Sequence, residues 1–160
     1  MGNDGSLVPY LDSWHHYAVV RNHNDNTLTG NIKLYIDGVD QGLSYVNYEY
    51  DPGLNWSVNG LGTIGSNFKG ELKHLQVYNK VLEQIDILKS IIINNNNTTT
   101  GYNGTILSDS YVFNGTSDYI VIGEDEAPQL ANSDFTIEFW MKFTPEPNSW
   151  NSILYIGSFS

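Results

Sequence analysis

The residues that could do chemistry fall into a few groups. Tyr45, Asn47, Tyr48, Tyr50, Asp51 and Trp56 lie within one stretch, YVNYEYDPGLNW. Aromatic faces beside amides and a carboxylate are what a glycan-binding surface needs, since rings offer an apolar platform and the polar groups fix orientation. The same residue types also cap the ends of β-sandwiches, where a large ring buries area and leaves its polar tip wet. Trp150, with Asn148 and Asn151, makes a second and smaller group of this kind. Asn114, Gly115, Ser117 and Asp118 form a turn rich in oxygen donors, which a hard cation requires. Asn-Gly also makes a hairpin unaided, so both readings stand at this point. His15 and His16 are adjacent in a strand-like run; successive strand residues point to opposite faces, so the pair is expected to be structural rather than chelating. His23 and His74 have no partner at ligand spacing. No Gly-x-Ser-x-Gly, phosphate-loop or His-Glu-x-x-His motif occurs, which leaves no motif-based case for catalysis.

The chain as a whole narrows the partners. The formal net charge is -11, a surface that repels phosphate backbones and anionic lipid, so neither nucleic acid nor a membrane is expected as a partner. No run reaches the length of a membrane helix, and the N-terminal MGNDGSLVPY has none of the regions of a secretory signal. Cysteine is absent, which removes thiolate chemistry and disulfides and leaves the redox compartment open. Charged residues make up 16% of the chain, below the usual quarter or so, and Asn, Ser, Thr, Gly and Tyr take their place. Such a polar, weakly charged surface suits extracellular or virion-exposed β-proteins.

The elements that must position these residues are short strands. WHHYAVVR (Trp14 to Arg21) alternates β-branched and aromatic residues, and NIKLYID puts Ile32, Leu34 and Ile36 on one face and Lys33, Tyr35 and Asp37 on the other. Asp37-Gly38 marks a tight turn, with a return strand over Val39 to Leu43. Further strands are expected at Leu61 to Gly65, Phe68 to Tyr78, Ser110 to Phe113, Tyr119 to Ile122 and Ile153 to Ile156. In FKGELKHLQVY the alternation slips between Leu72 and Leu75, which predicts a bulge or a buried two-sided strand. FTIEFWMKF is the most regular: Phe135, Ile137, Phe139, Met141 and Phe143 share one face. Leu82, Ile85 and Leu88 are spaced for a short helix over residues 82–89. Many short strands and almost no helix predict an all-β, antiparallel two-sheet sandwich.

Three blocks resemble the concanavalin A-like, laminin G-like jelly-roll domains: WHHYAVVR followed by IKLYIDGV, then FKGELKHLQVYNKVL, and YVFNGTSDYIVIG followed by DFTIEFWMKF. In that family the last block normally opens the domain, whereas here it follows the other two. The resemblance therefore implies one of two organisations. In the first, residues 1–160 form a single circularly permuted sandwich, in which residues 1–90 are the family's C-terminal half, 91–103 an Asn/Thr-rich seam and 104–160 the N-terminal half. Alternatively, the chain holds two partial repeats of a tandem array. The family's leading strand has no counterpart in order, and ILKSIII (Ile87 to Ile93) is a candidate replacement. On the order of 15–25 residues of strand and hairpin are also missing between the Ser160 and Met1 ends, so a strand-completing partner chain or homo-oligomer is expected there.

The resemblance also bears on chemistry. Glycoside hydrolases of the superfamily carry two carboxylates a couple of strand positions apart; here Glu71 and Glu138 each stand alone, and Glu124-Asp125-Glu126 reads as a solvated tip. A structural calcium is common among relatives, and Asp118 matches an acidic position before the Tyr-apolar strand, so Asp118 and Asn114 are the candidate ligands for Ca2+. The function expected is a non-catalytic, lectin-like recognition module for a glycan, glycoprotein or surface protein, extracellular or on a virion. A structural shell, fibre or spike domain is the alternative, and a degenerate glycoside hydrolase comes third.

Overall fold

The computed structural model describes residues 10–22, 32–42, 62–95, 110–122, 133–144 and 153–156. Among these residues nine strands and one helix run in the order β1 (Trp14–Arg21), β2 (Ile32–Ile36), β3 (Val39–Asp40), β4 (Gly62–Ile64), β5 (Lys69–Tyr78), α1 (Gln84–Asn95), β6 (Tyr111–Asn114), β7 (Ile120–Ile122), β8 (Phe135–Phe143) and β9 (Leu154–Ile156). Strand pairing is antiparallel throughout. One sheet has six strands in the order β3-β2-β1-β8-β5-β6, and the other has three in the order β7-β4-β9.

The most regular strand by sequence sits at the centre. β8 pairs with β1 along its whole length, Arg21 against Phe135 through to Trp14 against Lys142, and with β5 on its other side. Its odd-numbered residues enter the core between the sheets, where Ile137, Phe139 and Met141 meet Tyr17 of β1, Leu72 of β5 and Ile64 of β4. Tyr17 and Phe139 stack at 5.8 Å between centroids. β6 adds to the far side of β5, with Phe113 opposite Gly70.

Two turn features follow from backbone chemistry. Asp37 and Gly38 both take positive φ, 50° and 76°, as a two-residue hairpin turn demands. In β5 the register shifts between Lys73 and Gln76, and His74 sits at φ 52°. This is the bulge that the slipped alternation anticipates. It keeps Leu75 in the core, and beyond it Gln76 opposes Glu138 and Val77 opposes Ile137.

Gly70 is the tightest point of β5. Its φ is 150°, and an added Cβ would lie 2.3 Å from the Lys142 carbonyl oxygen and 2.8 Å from Cζ of Phe68. Backbone strain and a backbone clash act together here. Gly70→Ala is expected to cost about 1–3 kcal/mol in unfolding free energy, read as a lower urea midpoint at unchanged slope. An unchanged midpoint would show that β8 yields freely at this position.

The sequence spacing misplaces the helix. The expected span is 82–89, whereas α1 runs from Gln84 to Asn95. Leu82 is buried but precedes the helix, so a period started from it aims Ile85 and Leu88 inward; both are exposed, and Ile87 is fully buried instead, with Ile91 partly covered in the same cluster. For the same reason ILKSIII forms no substitute strand: its Ile87 and Ile91, four apart, share one helical face. The first residues of the seam, through Asn95, are thus helical.

Helix α1 covers the outer face of the six-stranded sheet, the face turned away from the three-stranded one. Ala18, Val20, Tyr35, Tyr78 and Ile87 form a second apolar cluster there. Thr136 of β8 fixes the approach to the helix, donating to the Lys80 carbonyl at 2.9 Å and accepting from the Leu82 N–H at 2.9 Å. Gln84 donates to the Gly38 carbonyl at 2.8 Å, which ties the helix start to the β2–β3 turn.

Candidate functional site

The even-numbered residues of β1 and β8 lie on this outer face, and α1 divides it into a covered half and an open half. Glu138 is at the boundary. It is fully buried, with Oε1 2.6 Å from the Tyr78 hydroxyl and Oε2 accepting from Ser90 of α1 at 2.8 Å. Tyr78 also meets the Gln76 amide oxygen. Burial raises the Glu138 carboxyl above the usual range, and the Tyr78 and Ser90 hydroxyls offset part of that rise.

His16 of β1 is also fully buried, with Nε2 3.6 Å from Glu138 Oε2. Among the described residues neither ring nitrogen has a hydrogen-bond partner, and the same holds for the buried Nε1 of Trp140, whose ring meets His16 edge-on at 5.6 Å. Burial pulls His16 down to about 4, against a smaller upward pull from the Asp37 charge. The imidazole is therefore neutral at physiological pH, as an uncompensated buried base should be.

Beyond Trp140 the face opens. Trp14, Glu71, Lys73, Trp140 and Lys142 are all partly exposed. Cross-strand register brings them together: Trp14 opposes Lys142, Lys73 opposes Trp140, and Glu71 opposes Lys142. The Lys142 ammonium donates to Glu71 Oε1 at 3.0 Å. The Lys73 ammonium lies 4.4 Å from the ring centroid of Trp14 and 5.6 Å from that of Trp140. Burial and then the Lys73 charge lower His74 below the usual imidazole range. Two indoles, two ammonium groups and one carboxylate thus share a single strip, a mixture of platform and polar groups suited to a polar ligand with an apolar face.

The residues singled out from sequence are placed as follows. His15 and His16 do point apart: His15 Nδ1 meets Asp37 Oδ2 at 2.6 Å and its Nε2 meets Ser13 Oγ at 2.7 Å. Asp37 does more than turn the chain, since its other oxygen accepts the His16 N–H at 2.9 Å. Asn114 Oδ1 is turned onto the N–H groups of Thr116 (2.8 Å) and Ser117 (2.9 Å), and Asp118 Oδ2 accepts the Asn114 N–H at 3.0 Å. These side-chain oxygens close the hairpin on itself. Among the described residues, no three His, Cys, Asp or Glu side chains come together as a metal set. Tyr45, Asn47, Tyr48, Tyr50, Asp51, Trp56, Asn148, Trp150, Asn151 and the Glu124 to Glu126 cluster lie outside the described residues.

The open strip escapes a sequence reading that seeks loops. Its one available signal was the other face of FTIEFWMKF, where Glu138, Trp140 and Lys142 alternate with the core residues.

Comparison with known proteins meets this geometry from another side. A laminin G-type family model, described as the concanavalin A-like lectin/glucanases superfamily, matches residues 2–88. That is more than half of the chain. This protein belongs to the concanavalin A-like lectin/glucanases superfamily. No curated protein and no solved structure matches it. Laminin G-like domains are carbohydrate- or protein-binding modules, generally non-catalytic and often extracellular, although the superfamily includes glycosidases. The two antiparallel sheets and the short helix found among the described residues of this superfamily member are consistent with that sandwich. No helix among the described residues is long and apolar enough to cross a membrane.

Proposed function

We propose that this domain is a non-catalytic recognition module that binds glycan on the open half of the six-stranded sheet, in an extracellular or virion-surface setting. The observation that carries the reading is the strip itself: Trp14 and Trp140 flanking Lys73, beside the Glu71–Lys142 pair. Indole faces can lie against a sugar ring while the charged groups meet its hydroxyls. The carboxylates favour binding over hydrolysis. A glycosidase needs two acids free to reach one glycosidic bond. Glu138 is sealed beneath α1 with both oxygens engaged, and Glu71 is held by Lys142.

The interleaving of strands bears on domain organisation within this reading. β8 lies between β1 and β5, and β6 pairs with β5, so both parts of the chain contribute to the sheet that carries the strip. This supports treating the chain as one permuted sandwich rather than as two partial repeats.

A glycan array probed with and without calcium tests the function. Binding is expected without calcium, and Trp14→Ala is expected to weaken it at least tenfold, about 1.4 kcal/mol, with the melting temperature little changed. Retention of full affinity in Trp14→Ala would move the site off this strip. Binding that appears only with calcium would move the site toward the Asn114–Asp118 turn.

The structural alternative rests on a different observation. β6 is the edge of the six-stranded sheet among the described residues, and Val112 on it is 72% exposed. An open apolar edge recruits a neighbouring strand. Sedimentation of the chain decides: a monomer at high concentration counts against assembly through this edge.

A further inference from the structure

Among the described residues, the strip holds one cation that no carboxylate neutralises. The chain has 7 basic and 18 acidic residues, so an ammonium without a carboxylate partner is unexpected. Lys142 has Glu71 and Lys89 has Asp86. Among the described residues Lys73 has no ion pair, and its charge rests on the rings of Trp14 and Trp140 alone. Trp140 is in turn held edge-on by buried His16, so the platform beneath the charge is rigid. The Glu71 carboxylate is one strand position pair away on the same strand face, but it is drawn to Lys142 instead.

We infer that Lys73 is the specificity-determining residue of this strip and that it selects saccharides bearing a carboxylate, such as uronic acids. This rests on the glycan reading above and deepens it. The pyranose ring lies along the indoles and its carboxylate meets the Lys73 ammonium, forming a charge-assisted pair in a partly dry setting. The ammonium moves from a weak cation–π partner to a strong anionic one, so little is given up on binding. The net charge of -11 sets the other bound. A densely sulfated polyanion is repelled by the surface around the strip, whereas a saccharide with isolated carboxylates meets one local cation without crossing that barrier.

Titration calorimetry with the full chain tests this. The probes are a glucuronate oligosaccharide, the same oligosaccharide methyl-esterified at its carboxylates, and hexaglutamate. The free acid is expected to bind at least tenfold tighter than the ester. In Lys73→Met the two should bind within about twofold of each other, at the ester's affinity, with an unchanged melting temperature. Lys73→Arg should restore the preference. Equal binding of acid and ester to the native chain overturns the inference and leaves glycan recognition intact. Failure to bind either saccharide overturns both. A preference that survives Lys73→Met assigns selectivity to another cation. Hexaglutamate bound as tightly as the acid saccharide overturns the sugar component and makes the strip an acidic-peptide site.

Discussion

Phe68→Ala is expected to lower the unfolding free energy by about 3–5 kcal/mol, the largest single effect in this domain. Phe68 is 1% exposed and lies just before β5, in the part of the chain that precedes the seam. Its ring contacts come from the part after the seam: Phe113 of β6 edge-on at 5.8 Å, and Phe143 of β8 stacked at 5.9 Å. Truncation removes a large transfer free energy and leaves a cavity between the two remaining rings. Neighbours cannot easily collapse into it, because Gly70 already brings the β8 backbone hard against β5. Urea unfolding gives the measurement. A loss under about 1 kcal/mol would mean that the β5–β6 and β5–β8 contacts do not hold the two parts of the chain together. Phe68→Leu should recover part of the loss, since it keeps the apolar volume without the ring.

The second large effect is with pH. His16 has a folded pKa of about 4 against 6.5 in the unfolded chain. The unfolded state therefore binds the extra proton first as the solution is acidified. The stability that a neutral buried His16 permits is full above 6.5, declines as pH falls, and is lost once pH passes about 4. The sum over that window is about 3 kcal/mol. Glu138 works in the opposite direction: its folded pKa is raised, so its contribution is present at low pH and is lost as pH climbs through the raised value. His16→Leu removes the first effect and keeps most of the volume. Between pH 7.5 and 4 the variant should gain about 3 kcal/mol relative to the native chain, followed by denaturation at each pH. Parallel curves for the two proteins would show that the imidazole reaches solvent. Glu138→Gln in the same series removes the opposing carboxyl and should steepen the acid loss of the native His16.

The contrast between the strands and the helix explains what a sequence can and cannot show here. β8 announces itself because its odd positions are apolar over nine residues. The β5 bulge is visible because two leucines three apart cannot both face one side of an unbroken strand. By contrast, Leu82 imitates a helical position while lying in the connection to α1, held there by Thr136 from a strand 54 residues away. No local pattern carries that contact. The candidate site is hidden for a related reason. Thr136 and Glu138 look solvent-facing in FTIEFWMKF, yet both are fully buried, because a helix from elsewhere in the chain lies over them. Lys73 and Trp14 are unremarkable in sequence and become neighbours only through β8. The turn at Asn114 adds contacts that spacing leaves unspecified: Asn114 Oδ1 accepts from the N–H groups of Thr116 and Ser117.

The central place of β8 has a consequence for how the protein is made. On the ribosome β1, β2 and β5 emerge well before residue 135, where β8 begins. Until β8 arrives, β1 and β5 each lack the neighbour that separates them, and both wait with an unpaired edge and an uncovered apolar face. The family-matched stretch, residues 2–88, can gather its hairpin early but cannot close its sheet. Sheet closure then depends on contacts between residues far apart in sequence, which slows folding through loop-closure entropy. The nascent chain is thus most prone to aggregate between the synthesis of β5 and that of β8, and a holding chaperone would be of most use in that interval.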